Sequence, residues 1–248
     1  MSRNIVRFIY LAFSVFCSLN VFADVPKLST KEDLLNYINS PATSVIKAIS
    51  YSNSHLSLIS PESQNALIAK STSYIESPGT TPQQALAFFK QAESNQTVRE
   101  AIIQTTLRKL ESYIESPGTT PQQALAFFKL AESNKTVREA IIQTTLRKLE
   151  NYITSPGTTP QQALAFFKQA KSNKIIRQAI WQTTLKKLEN YIISPSTTAP
   201  EALNLLSEIS NTDDYELYQA NLHLVKTKCG AANCLNLPFP ASPSPMKK

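Results

Sequence analysis

Residues 73–111 read SYIESPGTTPQQALAFFKQAESNQTVREAIIQTTLRKLE, and residues 112–150 repeat them with two changes, Gln91 to Leu130 and Gln96 to Lys135. A looser copy follows over 151–189, so the period is 39 residues. A fixed period of this size marks a solenoid, because one such unit cannot bury its apolar face alone and must stack on its neighbours. The phrase Tyr-Ile-x-Ser-Pro punctuates the chain at Tyr37, Tyr74, Tyr113, Tyr152 and Tyr191. Each proline disfavours helical geometry in the serine before it and so ends a helix.

The chemistry inside the repeat sets two helices. Pro78-Gly79 reads as a tight turn in which the glycine is free to take positive φ. Thr81 then caps a helix with Pro82 at its first position and Gln84 completing a capping box. Thr120-Pro121 with Gln123 and Thr159-Pro160 with Gln162 say the same. Ala85, Leu86, Phe88, Phe89 and Ala92 form the apolar stripe of this first helix, which stops near Ser94-Asn95. A second helix runs from Thr97 to Glu115 and carries apolar residues on more than one face, as a helix with neighbours on two sides requires. The expectation is an all-α chain, an α-solenoid of stacked antiparallel helix pairs with diverged terminal capping units.

The terminal units drift from the pattern. Thr30 and Asp33 stand at capping-box spacing before Leu34-Leu35-Asn36-Tyr37-Ile38. The unit after them has apolar segments at Val45 to Ile49 and Ala66 to Ile68 among many Ser and Asn, which suits an amino-terminal cap. At the other end Thr198 and Glu201 keep the capping-box spacing, the double Phe becomes leucines, and the second helix is expected over Asp214 to Val225. The units fall near 41–77, 78–116, 117–155, 156–194 and 195–228. The repeat domain spans 24–228, and 229–248 hold a Cys pair and a proline-rich tail expected to be extended.

Residues 1–23 read as a bacterial-type secretory signal: Arg3 and Arg7, then the apolar run Phe8 to Phe16, then Val21-Phe22-Ala23 with cleavage after Ala23. That run is shorter than the ~20 residues a spanning helix needs, so no transmembrane segment is expected after cleavage. Periplasmic or secreted localisation follows. Loss of Arg3 and Arg7 lowers the net charge from +7 to +5. This mildly basic chain lacks the clustered Lys/Arg runs of nucleic-acid binders. Cys229 and Cys234 remain as a pair in a compartment that permits oxidation, and a short-loop disulfide is expected.

Val98-Arg99-Glu100-Ala101, opening the second helix after an ALAFFKQA helix and a short polar turn, resembles the HEAT repeat. The likeness recurs at Val137-Arg138-Glu139-Ala140 and Ile176-Arg177-Gln178-Ala179. HEAT-like families often place an acidic residue in the turn facing that arginine; Asn95, Asn134 and Asn173 stand there in this chain. The resemblance implies two antiparallel helices per unit.

Catalytic, metal and cofactor sites are not expected. The two histidines, His55 and His223, lie in opposite terminal units, and no phosphate loop or dinucleotide fingerprint is present. Glu76 and Glu115 lose their counterpart at Thr154, so a repeated carboxylate site is not supported. The candidate binding face is a basic ladder, Arg108-Lys109, Arg147-Lys148 and Lys186-Lys187, on stacked second helices. A solvated charged face neutralised by Glu111, Glu150 and Glu189 is the plainer reading. Trp181, where the preceding copy has Ile142, reads as a core substitution rather than a binding anchor. Near identity of two copies fits either recent duplication or repeated presentation of one surface to a repetitive ligand. The leading functional expectation is a non-enzymatic scaffold for a protein or extended peptide; the alternative is an envelope protein holding an anionic polymer on the ladder.

Overall fold

A computed structural model describes residues 28–212 and 214–230. Residues 1–23, whose pattern reads as a secretory signal, lie outside the described residues, as do Cys234 and the proline-rich stretch 235–248. The described chain is all helix, with eleven α-helices, short 3₁₀ turns and no strand. It divides into two compact units at residues 70 and 71.

The first unit holds α1 (Lys31–Asn39), α2 (Val45–Ser54) and most of α3 (Pro61–Glu76). The Thr30–Asp33 capping box forms as its spacing predicts, each side chain satisfying an amide that the helix start leaves unpaired. Ser60 and Ser63 exchange the same kind of bonds ahead of α3. Leu34, Ile38, Ala48 and Ile49 are fully buried, and Tyr37 packs on Tyr51 with ring centroids 5.1 Å apart.

The second unit is an α-solenoid of antiparallel helix pairs. After the last turn of α3 come α4 (Pro82–Gln91) and α5 (Gln96–Glu115), α6 (Pro121–Ala131) and α7 (Lys135–Thr154), α8 (Pro160–Gln169) and α9 (Lys174–Ile193), α10 (Ala199–Ser210) and α11 (Tyr215–Cys229). All four capping boxes of the first helices are present, at Thr81, Thr120, Thr159 and Thr198. Each of α5, α7, α9 and α11 packs on its own first helix, and α5 with α7, α7 with α9 and α9 with α11 pack side by side, whereas successive first helices touch sparsely. The final helix runs to Cys229, one turn past the predicted end at Val225.

The core repeats with the sequence. Phe88, Phe89, Phe127, Phe128, Phe166 and Phe167 are all buried to 1% exposure or less, each contributing roughly 1.5–3 kcal/mol by area. The first Phe of each pair meets the tyrosine of the preceding unit edge to face: Tyr74–Phe88 and Tyr113–Phe127 at 5.3 Å, Tyr152–Phe166 at 5.6 Å. The second carries an arginine of its own unit, Arg99 at 5.5 Å from Phe89 and Arg177 at 5.0 Å from Phe167. The double Phe therefore joins a unit to its predecessor and to itself.

The long helices bury one residue in four: Val98, Ile102, Thr106, Leu110 and Ile114 in α5. A hydroxyl in this stripe is tolerated because Thr106, Thr145 and Thr184 each donate to the carbonyl four residues back at 2.9 Å. The flanking Ile103, Leu107 and Tyr113 are half-buried, which is the wider apolar sector that two neighbours demand.

One turn differs from expectation. Gly79, Gly118 and Gly157 do not adopt positive φ; Gly230 alone does so among the described glycines. The serine before each proline is extended, Ser116 at φ −49° and ψ 133°, and Thr119 N–H closes the turn on Ser116 O at 3.0 Å. Glycine is dispensable in such a turn, and Ala42 and Ser196 fill the position at the two ends of the chain.

Candidate binding face

In each long helix, one ridge of side chains four residues apart faces away from the first-helix layer. Glu100, Gln104, Arg108 and Ser112 form it in α5, Glu139, Gln143, Arg147 and Asn151 in α7, and Gln178, Gln182, Lys186 and Asn190 in α9, all exposed. Because these helices pack side by side, the ridges make rows across the units. Gln104, Gln143 and Gln182 are one row; Arg108, Arg147 and Lys186 are the next.

The two residues of each basic pair have different positions. Arg108, Arg147 and Lys186 are exposed, while Lys109, Lys148 and Lys187 are half-buried and turned toward the preceding unit. Lys109 Nζ donates to Ser77 O at 2.7 Å, Lys148 to Ser116 O at 2.8 Å and Lys187 to Ser155 O at 2.8 Å. Lys228 does the same to Ser194 O at 2.6 Å, and within the first unit Lys70 reaches Ile38 O at 2.7 Å and Ser40 O at 2.8 Å. These carbonyls lie at helix C-termini, where the peptide dipoles leave partial negative charge and acceptors without intrahelical partners. The ammonium supplies both donor and charge. Half of the predicted ladder is therefore a stitch between units, and the exposed cations are one per unit.

The exposed row is itself partly neutralised. Arg108 lies 3.9 Å from Glu76, and Arg147 pairs with Glu115. Both pairs are well exposed, in the class worth about 0–1 kcal/mol. Lys186 has no carboxylate at the equivalent place, because Thr154 stands there.

A second stitch runs through the turns inside the repeats. Asn134 Oδ1 caps α7 by accepting from Val137 N–H at 3.1 Å, while its amide donates to Glu93 of the preceding unit at 3.3 Å. Asn173 caps α9 and donates to Glu132 in the same way. An amide carries both the acceptor and the donor that this takes, whereas an ionised carboxylate only accepts. In the last unit the residue is Asp214, which caps α11 through Leu217 N–H and accepts from Arg177 of the preceding unit, both at 2.9 Å.

Other predicted features are placed as follows. Trp181 is half-buried rather than in the core, beside Arg177, Asp214 and Glu216 in a cleft of about 580 Å³. His55 stacks on Tyr51 at 4.1 Å, and its Nδ1 donates to Tyr51 O at 3.0 Å. His223 is exposed on α11. Cys229 is buried at the end of α11; its expected partner Cys234 lies outside the described residues. Among the described residues no cluster of His, Cys, Asp or Glu could hold a metal ion, and no helix is long and apolar enough to cross a membrane.

The sequence carries a signal for the stitch. The second basic position is Lys at 70, 109, 148, 187 and 228, whereas the position before it is Ala, Arg, Arg, Lys and Thr. Invariance through diverged end units marks the structural member of the pair.

Comparison with protein-family models, with curated proteins and with solved structures finds no match.

Proposed function

We propose that the chain is an exported, non-enzymatic helical-repeat scaffold that binds a protein or an extended peptide across its long-helix layer. The observation that carries this reading is the exposed ridge repeated on α5, α7 and α9, with amides and charges in register on neighbouring helices. Gln, Asn and Arg side chains on rigid, closely packed helices suit polar recognition of an extended backbone, and stacked repeats multiply one weak contact. Export is inferred from the amino-terminal pattern of residues 1–23. The reading of the ladder as a site for an anionic polymer has less support, since Lys109, Lys148 and Lys187 are committed to carbonyls.

The experiment is chemical crosslinking of the chain in its native exported fraction, with mass spectrometry of the linked residues. Links to one protein at equivalent positions of successive long helices are expected. Links confined to the chain itself would overturn the proposal.

A further inference from the structure

Successive junctions of the long-helix layer use equivalent positions and differ at two of them, Glu115 against Thr154 and Arg147 against Lys186. Between α5 and α7 a small cleft of about 410 Å³ is bordered by Glu115, Arg147 and Lys148. One period on, between α7 and α9, Thr154, Lys186 and Lys187 hold those positions and the cleft is about 1160 Å³. At the first junction the Glu115 carboxylate crosses the gap to Arg147. At the second, the Thr154 hydroxyl turns back to its own helix and donates to Glu150 O at 2.9 Å. Lys187 is held by Ser155 O, and Lys186 is left exposed, with no ion pair or hydrogen bond among the described residues. Glu189 also borders this cleft without pairing to Lys186.

The chain thus contains its own example of what fills the site: a glutamate side chain spanning two long helices onto a basic residue. The open cleft is larger than the ~300–1,000 Å³ of small-molecule pockets, and Leu185 and Tyr191 give it apolar walls. These features suit a segment of polypeptide lying across the junction better than an enclosed small molecule. We infer that the α7–α9 junction docks an acidic side chain of a partner polypeptide, its carboxylate taking on Lys186 the place that Glu115 holds on Arg147. This rests on the reading of the long-helix layer as the binding face.

The test is an NMR titration of the isotope-labelled intact chain with a blocked Glu-Ala repeat peptide and its Gln-Ala counterpart. The Glu peptide is expected to shift amides around residues 154–159 and 183–190, and the Gln peptide to leave them unmoved. Thr154→Glu, which restores the residue of the preceding copies, is expected to weaken binding roughly fivefold, the upper range for one exposed ion pair. Glu115→Thr is expected to open a second site, seen as new shifts around 144–151. Equal shifts from both peptides, undiminished binding by Thr154→Glu, or a sulfated polysaccharide moving the same amides while the peptide does not would each overturn the inference. A silent titration alongside partner crosslinks on the long helices would remove this site alone; silence in both experiments would remove the scaffold reading as well.

Discussion

Lys148 Nζ donates to the carbonyl oxygen of Ser116, 2.8 Å away in the preceding unit, and the exposed Arg147 beside it pairs with Glu115. Adjacent cations in one sequence motif thus do different things. The lysine closes the end of a helix that proline has cut short, leaving an extended serine with an outward carbonyl. The arginine lies on a solvated surface where ion pairs contribute little.

The contrast is measurable. Lys148→Met should destabilise the chain by about 1.5 kcal/mol, the range for a hydrogen bond to a charged group. Arg147→Met should change stability by less than about 0.5 kcal/mol. Urea unfolding followed by circular dichroism reads both, and equal effects would refute the division of roles.

Asn173 tests the second stitch. Its amide both caps α9 and donates to Glu132. Asn173→Asp keeps the cap but sets two carboxylates together, so a loss of about 1–2 kcal/mol is expected. The loss should shrink when Glu132 is also changed to Lys, the residue that Lys171 supplies one unit on, ahead of Asp214.

Much of this architecture was legible in the chain because the repeat speaks in local chemistry. Thr-Pro-Gln-Gln sets three helix starts and Thr198-Ala199-Pro200-Glu201 a fourth, and Ser-Pro sets the ends, since caps and proline act within a few residues. What was not legible depends on which neighbour a side chain meets. Lys109 and Arg108 have similar composition and opposite fates because a helix turns 100° per residue, and one points into the junction. Trp181 stands where the preceding copy has Ile142 and so reads as a core substitution, yet its helix position is a flank that stays half-buried. Pro78-Gly79 reads as a turn with glycine at positive φ, whereas the Thr80 N–H to Ser77 O bond of 3.0 Å closes the turn without it.

Gly118 sits in the same turn without positive φ. A Cβ there would meet only Ser116 Oγ, at 3.8 Å. Gly118→Ala should therefore stabilise the chain by about 0.4–1 kcal/mol, through the lost freedom of the unfolded state. A decrease in the thermal midpoint would show that the turn needs glycine.

Acid sensitivity should concentrate in the terminal capping boxes. Glu201 is held below the ordinary glutamate value of 4.5, chiefly by the Thr198 backbone N–H and then by its hydroxyl. Asp33 is likewise lowered, first by the Thr30 side chain and then by the backbone of Ser29 and Thr30. A depressed carboxyl stabilises the fold above its unfolded value, and the contribution is lost as pH falls through the lower folded value. Gln84, Gln123 and Gln162 occupy the same place in the central units and do not titrate. The stability difference between the chain and Glu201→Gln should be constant from neutral pH to about 5 and then shift against the unmodified chain. A difference independent of pH down to acid unfolding would contradict this.

A scaffold of this kind is defined by the face that meets its partner. A photoreactive amino acid placed at Gln143 sits on the exposed ridge of α7, and one at Ala126 sits on the exposed side of the first-helix layer. Irradiation in the native fraction is predicted to attach a partner polypeptide through position 143 and not through 126. Attachment through 126 with none through 143 would contradict the account.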